Sequence, residues 1–449
     1  MKRGLMKKIT FIKLAHSWQY DPYSDPPLGL LSVASAARDT GLVEVVLLDL
    51  AHEKNIPYSD IYAFSATTLE YLELIQKAKE IKSKYPEAKI IVGGPHFDIF
   101  PEEYWMQRIK KMPVDIISRG EGEATIKEII QKIYDSPENA QNIVISQKGS
   151  LLRLSDLPLP ARDLLDKSLY FKPGKTFFEG RIYSPGNSST IIVSRGCPNN
   201  CSFCASPFLH NKKLRFRNFD QVKEELRILQ IDYGVSSLRW QDDCIPLVLN
   251  NFPGLDKILN HMGIYSRGSA RTDQITNNIL DKLWFARFRE IGFGIESAED
   301  NVLSYINKRT NVDNNKKALL MTKSKGFKTR VFIMTGLPGE TKYSADKMIE
   351  FLEETNPDVI TLTSFMPLPG SDIFMNPDKY GVRITSQDWN DYDISLKWDA
   401  GAKWVHNIST ATIDEMENNR EKLKEYLFNK SKSNLHIYNK QYQSPILKS

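Results

Sequence analysis

The chain has 449 residues, 41% hydrophobic and 26% charged, with a formal net charge of +5. That length suggests two to three globular domains with sizeable cores, and the small net charge argues against a nucleic-acid-binding surface. No apolar run reaches the roughly 18 residues of a membrane span. The basic lead-in to the first apolar stretch is interrupted by Lys13, so a first strand fits residues 1–18 better than a signal peptide does.

Residues 9–15, 43–50, 60–66, 88–94 and 114–120 are short apolar runs rich in β-formers, while 28–41, 69–86 and 124–135 carry apolar residues at helical spacing. This alternation over residues 1–150 predicts an α/β domain with a doubly wound parallel sheet, binding its ligand beyond the carboxyl ends of the strands. Small residues fill those ends: Ser65-Ala66-Thr67-Thr68, Gly93-Gly94-Pro95-His96 and Gly120-Glu121-Gly122-Glu123. They would let backbone approach a large flat ligand closely. Residues 151–187, rich in Pro and Gly toward their end, read as a linker.

Residues 188–372 alternate again. Strands are predicted at 189–196, 235–243, 264–271, 290–297, 329–336 and 359–365, with amphipathic helices such as 220–234 and 344–358 between them. Six such units predict a partial (β/α)6 barrel with its chemistry at the strand C-termini. Residues 373–449 read as a small α-rich cap. It holds Trp389, Tyr392, Trp398 and Trp404, whose rings suit packing better than a pocket lining, then a helix at 412–428 and a lysine-bearing tail.

Three of the four cysteines fall together, as Cys197-Pro198-Asn199-Asn200-Cys201-Ser202-Phe203-Cys204, directly after the first barrel strand. Clustered thiols in a chain of this size point to metal in a reducing, cytoplasmic compartment rather than to disulfides. Three thiolates can hold three corners of a [4Fe–4S] cubane and leave one iron open. Cys244 follows the second barrel strand beside Asp242 and Asp243 and stands as a possible fourth ligand. His16, His52, His210, His261, His406 and His436 are scattered and read as structural or solvated.

The CxxxCxxC spacing with Phe203 before the last cysteine resembles the signature of radical S-adenosylmethionine (SAM) enzymes, and Ser194-Arg195-Gly196 resembles its usual entry. Tyr233-Gly234 followed by Asp242-Asp243, Gly294-Ile295-Glu296-Ser297, Gly336-Leu337-Pro338-Gly339-Glu340 and Pro367-Leu368-Pro369-Gly370 are similar to later strand ends of the cobalamin-dependent subfamily. Residues 1–150 resemble the cobalamin-binding domain that precedes such barrels. That resemblance implies cobalamin contacts at Leu28, Gly29, Ser65, Thr67, Gly93, Gly94, Pro95, His96, Glu121 and Gly122. The DxHxxG motif is absent, so no axial histidine is expected and His96 is not promoted to one.

The same resemblance implies a [4Fe–4S] cluster on Cys197, Cys201 and Cys204, and SAM near Phe203, Asp242, Arg271 and Glu296. It further implies methyl transfer to an unactivated carbon of a small-molecule, peptide or lipid substrate, with electrons from a flavodoxin- or ferredoxin-type donor. Radical rearrangement or cyclisation without methylation, and a non-catalytic iron–sulfur electron-transfer or binding protein, are the alternatives. A methylthiotransferase is a poorer match, because no cysteine precedes Cys197.

Overall fold

A computed structural model describes residues 6–15, 21–177, 181–392 and 403–433. His16, Trp398, His436 and the expected lysine-bearing tail from residue 434 onward lie outside them. The chain divides into two compact units, one reaching Tyr170 and one beginning at Phe171.

The first unit contains a six-stranded, all-parallel sheet in the order β2-β1-β3-β4-β5-β6. Its strands are β1 Lys7–Lys13, β2 Val43–Asp49, β3 Ile61–Ser65, β4 Lys89–Gly93, β5 Ile116–Arg119 and β6 Ile143–Ser146. The predicted helices appear as Leu28–Arg38, Tyr71–Lys84 and Gly122–Asp135. Two cores flank the sheet, one containing Tyr62, Phe97 and Trp105, the other Ile9, Ala34, Ile129 and Ile130. Burial on both faces explains the nearly continuous apolar runs of the strands. Strand order reverses beside β1, where open α/β sheets bind ligands.

Residues 151–187, expected as a linker, divide between the units. Ala161 N donates to Leu31 O (3.2 Å), and the Tyr170 hydroxyl donates to Asp49, so the earlier part is packed onto the first unit. Thr176 and Ser188 share hydrogen bonds of 3.0 Å with Ser237 in the second.

The second unit is built on a curled, open parallel sheet in which β7, β10, β11, β12, β13 and β14 lie side by side in chain order. They span Asn187–Ile191, Val235–Trp240, Tyr265–Ala270, Phe288–Glu296, Lys328–Thr335 and Val359–Ser364. Between β7 and β10 the short antiparallel pair β8 (Ser194–Arg195) and β9 (Arg215–Phe216) brackets the cysteine segment. The cap adds β15 (Val382–Ile384) paired with β16 (His406–Ile408), then the helix Ile413–Ser433.

Candidate active site

The cysteine segment leaves the sheet at Gly196, whose φ of +90° is costly for any residue with a side chain. A Cβ there would also stand 2.2 Å from Lys213 O. Asp242, at the end of β10, holds the approach. Its carboxylate accepts from Val193 N (3.1 Å), from Ser194 N (2.7 Å) and from the Ser194 hydroxyl. Burial raises Asp242 to about 6, and these donors pull the other way. Asp242, expected at SAM, supports the backbone that delivers the cysteines.

Other elements fix the loop itself. Ser202 N donates to Ile306 O (2.9 Å), Ile373 N donates to Ser202 O (3.0 Å), and Asn307 Nδ2 donates to Asn200 O (2.7 Å). Each of the three sulfurs accepts an N–H: Cys197 from Asn199 Nδ2 (3.4 Å), Cys204 from Ser206 N (3.4 Å) and Cys201 from Arg271 Nη1 (3.6 Å). Burial pushes the Cys204 thiol up to about 11, so a thiolate there needs a cation beside it. Among the described residues, no three His, Cys, Asp or Glu side chains converge on a position for a single ion. A cubane spreads its thiolates farther apart than one zinc ion does, so three acceptor sulfurs on one loop fit a cluster. Cys244, the possible fourth ligand, is buried and its thiol donates to Gln274 Oε1, a partner within the protein.

Arg271, at the end of β11, is held by Asp273 (Nη2–Oδ2 2.9 Å) and by Lys308 O (2.6 Å), and it reaches Cys201. Arg271, expected at SAM, thus stands beside the cysteine loop. Glu296 closes β12 at a φ of +65°, buried and paired with Lys308 Nζ at 2.7 Å. Lys308 also lies 5.6 Å from the Phe203 ring centroid. A Cβ on Gly294 would sit 2.3 Å from Glu296 Oε1 and 2.8 Å from Lys308 Nζ, so the ion pair lies directly over that glycine. Sequence reasoning missed Lys308, because nothing in its neighbourhood marks it until the fold returns it to Glu296.

Beyond β13, the Gly336–Glu340 turn is packed under the cap. Trp404 lies against Gly336, and His406 Nε2 is 2.9 Å from Gly336 O. Trp404 Nε1 donates to Glu417 (2.8 Å), and Trp389 meets Tyr392 edge-on at 5.0 Å. These rings pack the cap, as composition led us to expect, and His406 is buried with them.

In the first unit, the ends of β3 and β4 form a shelf. Ser65 and Thr67 are exposed, and Gly94, with φ +98°, lies so close to Ser65 and Ala66 that a Cβ would stand 2.6 Å from Ser65 Oγ. Leu28 is buried at the start of the first helix, while Gly29 faces open space. Gly93 abuts Ser118, and Pro95 opens the next short helix. The exposed small residues and the clear space at Gly29 fit a broad planar ligand approaching backbone.

Three of the residues expected at cobalamin have partners within the protein. His96 is 1% exposed and stacks on Tyr71 at 4.2 Å, and burial drives its ring down to about 3, so it packs as a core ring. Glu121 accepts from Leu152 N (2.7 Å) and ties down the chain after β6. Gly122 allows two helices to approach, since a Cβ there would meet Val33 Cγ2 at 2.8 Å.

Residues 191–352 match the model of the radical SAM superfamily, and residues 22–130 match that of the B12 binding domain. The "Uncharacterized methyltransferase PH0819" of Pyrococcus horikoshii is 26% identical over 391 residues, 82% of this chain and 81% of that protein. Hopanoid C-3 methylase of Methylococcus capsulatus is 25% identical over 388 residues, 82% and 71% of the two chains. An anaerobic magnesium-protoporphyrin IX monomethyl ester cyclase of Rubrivivax gelatinosus is 25% identical over 334 residues, 71% and 57%. The fold is shared with the radical SAM methyltransferase TsrM of Kitasatospora setae, solved with cobalamin and a [4Fe–4S] cluster, at a TM-score of 0.68 and 13% identity, over 97% of this chain and 91% of that one.

Proposed function

Because the chain belongs to the cobalamin-dependent radical SAM family, its B12-binding domain preceding its radical SAM domain, we propose that it methylates an unactivated carbon. The substrate would be a small molecule, a peptide or a lipid. Cys197, Cys201 and Cys204 would hold the [4Fe–4S] cluster, Phe203 and the Glu296–Lys308 pair would face SAM, and the shelf of Leu28, Gly29, Ser65, Thr67, Gly93, Gly94 and Pro95 would take cobalamin. When bound, these cofactors supply one-electron cleavage of SAM and a transferable methyl group, chemistry that no side chain provides.

The chain's own part is placement and exclusion. Asp242 and Gly196 set the exit of the cysteine loop, while Asn307, Ile306 and Ile373 fix its far side. Glu296 and Lys308 offer both charges, buried, at the mouth of the sheet. In that setting they orient a zwitterionic ligand more strongly than exposed groups would. The electrons that each turnover consumes would come from a flavodoxin- or ferredoxin-type donor in the reducing cytoplasm.

The observation that carries this reading is that three loop sulfurs, all hydrogen-bond acceptors, lie at the C-terminal mouth of the open sheet. Anaerobic reconstitution tests it. About four irons per chain, absent from the Cys197→Ala/Cys201→Ala/Cys204→Ala variant, together with retained cobalamin absorbance, is the expected result. With substrate, methylation yields S-adenosylhomocysteine and 5′-deoxyadenosine together. 5′-Deoxyadenosine alone would favour a rearrangement or cyclisation, the reading that the cyclase relative supports. No iron in the wild type would end the enzymatic reading.

A further inference from the structure

The three sulfur contacts are not equivalent. Asn199 offers a neutral amide to Cys197 and Ser206 a backbone N–H to Cys204, whereas Cys201 receives its hydrogen from a buried cation. Arg271 is only 8% exposed and has little freedom. Asp273 takes its Nε (3.0 Å) and Nη2 (2.9 Å), and Lys308 O takes Nη2 as well (2.6 Å), which leaves Nη1 directed at the sulfur. Asp273, the counter-charge, is one-third exposed on its side chain, so solvent screens it more than it screens the guanidinium.

Resting on the reading that Cys201 holds a [4Fe–4S] cluster, we propose that Arg271 is a positioning residue that sets the reduction potential of that cluster through its hydrogen bond to Cys201, with Asp273 moderating its charge. One-electron reduction adds a negative charge to the cluster and its thiolates. A fixed cation donating to one of those sulfurs stabilises the reduced form over the oxidised one, and net charge and hydrogen bonds to sulfur are established levers on cluster potential. A merely structural arginine would hold the loop without moving the potential.

The test is a redox titration of the anaerobically reconstituted full chain, without SAM or cobalamin. Dithionite or titanium(III) citrate supplies the electron, and the reduced cluster is followed by electron paramagnetic resonance. Arg271→Gln is expected to weaken reduction about tenfold, a midpoint about 59 mV more negative than wild type. Arg271→Lys keeps the charge but loses the fork that grips Asp273 and the Lys308 carbonyl, and falls between the two. Asp273→Asn moves the opposite way, to a more positive midpoint, because the same guanidinium is then uncompensated. Iron-replete Arg271→Gln at the wild-type potential overturns the proposal, as does an unchanged or lowered midpoint in Asp273→Asn. Should Arg271→Gln fail to keep iron, the Asp273→Asn arm decides alone. A wild type that takes up no iron removes the cluster reading itself, an outcome distinct from a loaded cluster whose potential ignores Arg271.

Discussion

Glu340 gives a quantitative test of how this barrel is assembled. It is 3% exposed in the turn after β13, and its carboxyl accepts from Gly336 N at 2.8 Å. Burial raises it from 4.5 to about 8, with the neighbouring Glu299 adding in the same direction. Between those values the folded chain holds a proton that the unfolded chain has released. Its contribution to stability is therefore full below pH 4.5 and lost as pH rises through 8. From pH 6 to pH 9 the loss runs over about two pH units, or about 3 kcal/mol at 1.36 kcal/mol per unit. Glu340→Gln has the shape of the protonated acid, keeps an acceptor for Gly336 N and cannot ionise. Wild type and variant should match below pH 4.5, and the variant's advantage should widen by about 3 kcal/mol between pH 6 and pH 9. At about 2 °C per kcal/mol for a unit of this size, the Tm gap should widen by about 6 °C over that range. Thermal unfolding of the metal-free full chain, followed by circular dichroism at pH 6, 7.5 and 9, measures it. Parallel pH dependences for the two proteins would refute the reasoning, because other titrating groups are common to both.

Three further outcomes are expected. Asp242→Ala strands the buried N–H groups of Val193 and Ser194, at about 1–3 kcal/mol each; iron bound per chain after reconstitution should drop well below wild type, and full loading would show that the carboxylate does not shape the loop. Cys244→Ser should keep its iron, since a hydroxyl can donate to Gln274 as the thiol does; loss of iron would reinstate Cys244 as a ligand. Gly94→Ala combines a left-handed backbone with a 2.6 Å clash against Ser65 Oγ. It should weaken hydroxocobalamin binding at least tenfold and destabilise the protein by about 2–4 kcal/mol, read by spectral titration and chemical denaturation.

Much of the fold was legible because both sheets are parallel and the first is buried on its two faces. Apolar strands alternating with amphipathic helices then repeat in a pattern that few other architectures share. The shorter pieces were not legible. The pair β8–β9 has only two residues in each strand, too short for periodicity to register, although it brackets the cysteine segment. The linker escaped for another reason. Leu154, Ala161, Leu165 and Tyr170 are buried on the first unit, and burial of scattered apolar residues leaves no periodic mark in a Pro-rich stretch.

Local order determined the cysteine loop, since three thiols within eight residues must share one site wherever the chain goes. The small residues at the strand ends were likewise visible, because their cause, close approach of backbone, is local. Tertiary structure alone decided which polar groups face that site. It turned Asp242 toward the N–H groups of Val193 and Ser194, sent Arg271 to Cys201, buried His96 among aromatic rings and gave Gly122 to Val33. It also brought Lys308 back to Glu296, twelve residues away around a helix. The physical reason is that a charged or polar side chain removed from water must find its partner, and that partner is chosen by packing in space rather than by position along the chain.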